Sequence, residues 1–156
     1  GDSQVDNSFI LPEGNLYIKF DVIQDVLSFY IDETVLPAGA RNREAYALVQ
    51  NLPLNSYIKA GRMLLPFGFR ILDDDAFIRQ KTGFNYANQD IGVEMGLEPG
   101  PLSLTAAITN GTQGASENNV QKQVSLVGST VFRNFRIGGS FSRNRTPGEP
   151  TDQITT

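Results

Sequence analysis

The sequence predicts an all-β fold, an antiparallel meander of about eight strands forming a barrel, and three observations predict it. Apolar and polar residues alternate with period two in a series of segments each roughly ten residues long or shorter. The segments are separated by Gly, Pro, Asn and Asp turns or by longer polar loops. Nowhere does an apolar stripe recur with the helical period over the length of a normal helix.

The first strand is read from Leu16, Ile18, Phe20 and Val22 alternating with Tyr17, Lys19 and Asp21. After Gln24 and Asp25 the pattern resumes as Leu27, Phe29 and Ile31 against Ser28, Tyr30 and Asp32, so a tight reversal joins the two. A loop from 34 to 43 holding Pro37 and Gly39 is expected next, then a weaker strand from Glu44 to Gln50 and a turn at Pro53. From Ser56 to Met63, Tyr57 and Lys59 share one face, and Ile58 and Ala60 the other. Residues 64–87 lack clean periodicity and are read as a long segment. Ile91, Val93, Met95 and Leu97 then alternate with Gly92, Glu94 and Gly96. A Pro-Gly turn leads into Leu102, Leu104, Ala106 and Ile108 against Ser103, Thr105 and Ala107. A Gly/Ser/Asn-rich loop precedes a strand from Gln121 to Phe132, a turn at Arg133 and Asn134, and a last strand with Phe135, Ile137, Gly139 and Phe141 on one face. All strands fall within 15–143 of a single domain, 1–156, and the polar stretch 144–156 is read as a flexible tail.

The connections alternate. Short turns near 24–25, 51–55, 98–101 and 133–134 would lie at one end of the sheet, and long segments near 34–43, 64–87, 110–119 and beyond 143 at the other. Short turns on one side and long loops on the other belong to outer-membrane barrels. A soluble barrel binding a small apolar ligand is the alternative, with its apolar faces turned inward. The polar faces carry Gly92, Gly96, Ser103, Thr105, Gly138 and Ser140, where a soluble exterior is usually dense in Lys and Glu. Their charges, Lys19, Asp21, Lys59, Glu94 and Arg136, are of both signs and suit a wet lumen. Tyr17, Phe20, Phe29, Tyr30, Phe132, Phe135 and Phe141 lie near strand ends, as interfacial aromatic girdles do.

Composition excludes much chemistry. The 156 residues contain no Cys, no His and no Trp, which removes disulfides, thiolate nucleophiles, imidazole bases and the usual zinc and haem ligands. A formal charge of −4 with scattered Lys and Arg gives no basic stripe for nucleic acid. No apolar run is long enough for a membrane-spanning helix, although alternating strands average to neutral hydropathy and escape that test. Gly1 to Asn7 lacks the basic start and apolar core of a secretory leader, which leaves a chain that is not secreted or one whose leader has been removed. Absence of Cys suits passage through an oxidising periplasm.

Two passages carry a resemblance. The run Tyr57-Ile58-Lys59-Ala60-Gly61-Arg62-Met63-Leu64-Leu65-Pro66-Phe67-Gly68 resembles the alternating strand, Gly-Arg and Pro-Phe-Gly passage of bacterial outer-membrane porins of the phosphate-selective O/P type. Ile108-Thr109-Asn110-Gly111-Thr112 resembles the same family's strand followed by Asn-Gly. The resemblance implies the N-terminal part of a barrel of about sixteen strands, homotrimeric at full length and set in outer-membrane lipid, through which small solutes, anions among them, diffuse passively. It departs from the family in having about half the strands and in ending Gln153-Ile154-Thr155-Thr156 rather than on a strand with a terminal aromatic residue. A complete eight-stranded barrel, plugged by its own side chains, is the other expectation.

The candidate site residues follow from this reading. Lys19, Lys59, Arg136 and Glu94 are expected to line the lumen, and Pro66 to Tyr86 to fold inward as a constriction loop whose Arg70, Arg79 and Lys81 favour anions. Asp73-Asp74-Asp75 lacks the Gly and distal Glu of a calcium loop and is read as a solvated loop, so neither metal nor cofactor is expected. Asn110-Gly111-Thr112 matches a glycosylation acceptor but reads as a turn in a bacterial protein. Asp90 and Glu94 form no catalytic pair with a defined cleft, and an enzyme is not expected.

Overall fold

Among the described residues nine strands follow one another in a single sheet, each hydrogen-bonded to its sequence neighbours in the order β1 to β9. They are β1 (Gly14–Ile23), β2 (Leu27–Leu36), β3 (Gly39–Leu52), β4 (Ser56–Met63), β5 (Asp90–Leu97), β6 (Leu102–Thr109), β7 (Gln123–Phe132), β8 (Phe135–Asn144) and β9 (Gln153–Thr155). The computed structural model describes residues 14–37, 39–68, 82–84, 88–112, 121–145 and 153–156. Every pairing is antiparallel, and β1 does not pair with β9, so the described sheet is open with two free edges. Among the described residues no helix is long and apolar enough to cross a membrane.

The four short turns fall at one end, as their residue types require. Asp25, Asn51, Leu54, Asn55 and Arg133 take positive φ there, as does Gly100 in the Pro-Gly turn. Asn and Asp tolerate this conformation through local side-chain hydrogen bonds, and Asn51 Nδ2 donates to the carbonyl of Asp25 in the neighbouring turn at 2.6 Å.

Two expectations change at the opposite end. The loop expected over 34–43 is strand, because β2 runs to Leu36 and β3 starts at Gly39. The alternation was hidden by a β-bulge: Asp32 pairs with Glu44 and Glu33 with Asn42, which leaves Arg43 as the extra residue. The polar tail contributes a ninth strand, Gln153–Thr155, paired with Ser142 to Asn144 of β8.

Burial runs opposite to that of a soluble sheet. Register places Leu16, Ile18 and Phe20 of β1, Phe29 and Ile31 of β2, Val93 and Met95 of β5, and Leu104 and Ile108 of β6 on one face, and all are exposed, Phe20 to 64% and Val93 to 51%. On the other face Ser28, Asp32, Lys59, Glu94, Thr109, Ser125 and Ser142 are buried. Phe141 shares the apolar face through its pairing with Leu126. The buried apolar cluster belongs to no strand. It is Leu65, Phe67 and Phe84, from the segments after β4 and before β5, and the polar face is where they lie.

Candidate functional site

The polar face is built around Lys59 of β4 and Glu94 of β5, which pair directly across the ladder. Lys59 Nζ stands 3.6 Å from Glu94 Oε1, and the Glu94 side chain is fully buried. Tyr57 donates its hydroxyl to the same oxygen at 2.7 Å. Gly96 makes this possible. It pairs with Tyr57, and a Cβ there would stand 2.2 Å from the Tyr57 ring, so only glycine lets the ring lie against the sheet and reach Glu94.

Aromatic side chains continue the row toward the free edge. Lys59 Nζ sits 4.6 Å from the Tyr46 ring centroid, the Tyr46 and Tyr30 rings stack at 5.0 Å, and Tyr30 and Tyr17 lie 6.4 Å apart. Tyr17 and Tyr30 therefore stand on the polar face and belong to no girdle, a correction to the expected aromatic belt. Phe20 with Phe29, and Phe132 with Phe135, are cross-strand pairs on the apolar face close to the short turns.

Of the residues expected in the lumen, Lys19, Lys59, Glu94 and Arg136 all share the polar face. Lys19 pairs with Asp21 at 3.0 Å in an exposed bridge. Arg43, turned by its bulge, lies 3.7 Å from Asp32 and 3.3 Å from Asn15 Oδ1. The described strand residues of this face balance in charge, with Lys19, Arg41, Arg43, Lys59 and Arg136 against Asp21, Asp32, Glu44, Asp90 and Glu94. Arg70, Arg79, Lys81 and Asp73 to Asp75 lie outside the described residues. Among the described residues no group of three metal-ligating side chains comes together.

The segment leaving β4 crosses this face. Leu64 N donates to Glu44 Oε1 of β3 at 2.9 Å, and Leu64, Leu65, Pro66 and Phe67 are all buried. Phe67 stacks on Phe84 with centroids 4.2 Å apart and planes within 9°. A cavity of about 510 Å³ separates Phe67 and Tyr57 from Ser103, Thr105, Ser129, Arg136 and Ser140 on β6 to β8. Leu65 and Phe84 border a gap of about 60 Å³ against Gln123, Ser142 and Gln153 of β7 to β9. The stretch around Pro66 thus spans the polar face from β4 toward β9.

Asn110-Gly111-Thr112 is a turn held from two sides. The buried Asp90 carboxylate accepts from Gly111 N and from Thr112 Oγ1, and Asn144 Nδ2 donates to Gly111 O at 3.0 Å. The sequence reading missed Tyr46 as a partner of Lys59 and Tyr57 as a partner of Glu94, and did not single out Phe67 within the segment expected to fold inward. The sequence carried little signal for these contacts, because the long segment between β4 and β5 leaves their register, which sets Tyr57 opposite Gly96 and Lys59 opposite Glu94, to the tertiary structure. No protein family, curated protein or solved structure matches this chain.

Proposed function

We propose that this chain is part of an outer-membrane porin of the phosphate-selective O/P type, passing small solutes by passive diffusion along its polar face. The observation that carries the reading is the inverted burial, with apolar strand residues exposed and polar and charged ones covered. In water such a sheet would leave Phe20, Phe29, Val93, Leu104 and their neighbours hydrated, whereas lipid tails accept them without cost. The short turns gathered at one end and the segment folded over the polar face support the same reading. The soluble-barrel alternative needs these side chains inside, and their exposure speaks against it.

The open edges at β1 and β9 leave backbone donors and acceptors that lipid cannot satisfy, so the reading requires further strands to close the barrel. Those strands belong to the full-length protein, a homotrimer of about sixteen-stranded barrels by its resemblance. The balanced polar face gives no anion preference by itself, and selectivity for anions would rest on Arg70, Arg79 and Lys81.

The test is insertion and conduction. The full-length chain should fractionate with outer membranes and give steady ion currents in planar bilayers. Val93→Arg should cost about 2–4 kcal/mol of folding stability in lipid if Val93 lies near mid-membrane. Unchanged stability of that variant, or a full-length protein that stays in the soluble fraction, would overturn the reading.

A further inference from the structure

We propose that the cavity between Tyr57 and Phe67 is a binding site for a neutral polyhydroxylated ring, that is, a sugar. The proposal rests on the porin reading and names the solute class of that same polar face. Its volume of about 510 Å³ falls within the range of small-molecule sites. Among the described residues two aromatic rings bound it, and both are held by contacts on the far side. Tyr57 is held against Gly96 and by its hydrogen bond to buried Glu94, and Phe67 by its stack on Phe84. Rings fixed in advance offer their faces to the apolar C–H surface of a sugar without further loss of side-chain entropy.

Beside Val127 and four glycines, the lining also carries groups that match the polar surface of such a solute. Ser103, Thr105, Ser129 and Ser140 supply hydroxyls that both donate and accept, which is what a ring bearing several hydroxyls requires. Among the described residues one cation and one anion, Arg136 and Glu98, border the space, and Glu98 Oε1 already accepts from Ser103 Oγ at 3.3 Å. An anion entering would face Glu98, and a cation Arg136, whereas a neutral polyol can accept from one and donate to the other. A wholly apolar ligand would strip water from these groups and return no hydrogen bonds. Tyr57 and Glu98 also border a second, more open space of about 390 Å³ with Gln50, Asn55 and Lys59, which gives a departing ring a further set of polar contacts on the way along the face.

Isothermal titration of the full-length protein in detergent with sucrose, and with gluconate as a charged probe, tests the assignment, together with planar-bilayer currents recorded while sucrose is added. Sucrose should bind, gluconate should bind at least roughly tenfold more weakly, and sucrose should reduce the ion current. Tyr57→Leu should weaken sucrose binding by roughly tenfold, Tyr57→Phe should weaken it less because the ring face remains while its bond to Glu94 is lost, and the exposed Arg136→Ala should weaken it without disturbing the fold. Absence of sucrose binding, gluconate binding as well as sucrose, or unchanged binding in both Tyr57→Leu and Arg136→Ala would overturn the sugar site. Currents without sucrose binding would refute this site alone, and sucrose binding without any current would refute the porin reading and leave the site standing.

Discussion

Leu54 holds a φ of 63° in the turn between β3 and β4 and is 67% exposed. A branched side chain in the left-handed region is strained, and here it gains no packing in return. Leu54→Gly should therefore raise stability by about 0.5–1 kcal/mol, read as a higher midpoint of urea unfolding with an unchanged slope. At Lys59 and Glu94 the direction reverses. Glu94→Ala removes the ion-pair partner of a side chain that is only 11% exposed and the acceptor of Tyr57, and should cost about 2–3 kcal/mol. Replacing both as Lys59→Met with Glu94→Gln keeps an acceptor for Tyr57 and leaves no lone charge, so it should cost less than the single change. A double variant as unstable as Glu94→Ala would show that the charge pair is not what Glu94 supports.

Period two made most strands legible, because each carries one apolar and one polar face. It failed at the start of β3, where the extra Arg43 shifts the alternation by one residue and Arg41 to Arg43 then read as loop. It failed at β9 for a different reason, since three residues are too few to show a period. The segment after β4 has no period to read, and only its contacts define it: Leu64 on Glu44, and Phe67 on Phe84. Phe67→Ala should cost about 3 kcal/mol through the lost stack and the space left behind. In the porin reading it should also raise single-channel conductance by widening the passage, and an unchanged conductance would remove this segment from the solute path.

At the scale of the whole sheet, charge is arranged in pairs. Lys19 meets Asp21 and Lys59 meets Glu94, while no ion pair is seen for Arg136 among the described residues. In the porin reading, neutralising Lys59 and Glu94 together should leave the reversal potential under a salt gradient where it was. Arg136→Gln should shift it toward cations, and neutralising Arg70 and Arg79 should shift it further the same way. A shift from the Lys59 and Glu94 double replacement as large as that from Arg136→Gln would contradict the pairing as the source of neutrality.

The sequence by itself determined the all-β class, the antiparallel meander, the four short turns and the face membership of most strands, because alternation and turn chemistry are local and survive without tertiary contacts. Alternation alone could not say which face would be covered, since it is symmetric between a barrel with an apolar interior and one with a polar interior; the Gly, Ser and Thr of the polar faces only favoured the polar one. Tertiary structure decided that by laying Leu64 to Phe67 across the polar side and leaving Phe20, Val93 and Leu104 exposed. It also decided that Tyr57 reaches Glu94 over Gly96, a contact between residues 37 apart that exists only once β4 and β5 lie in register.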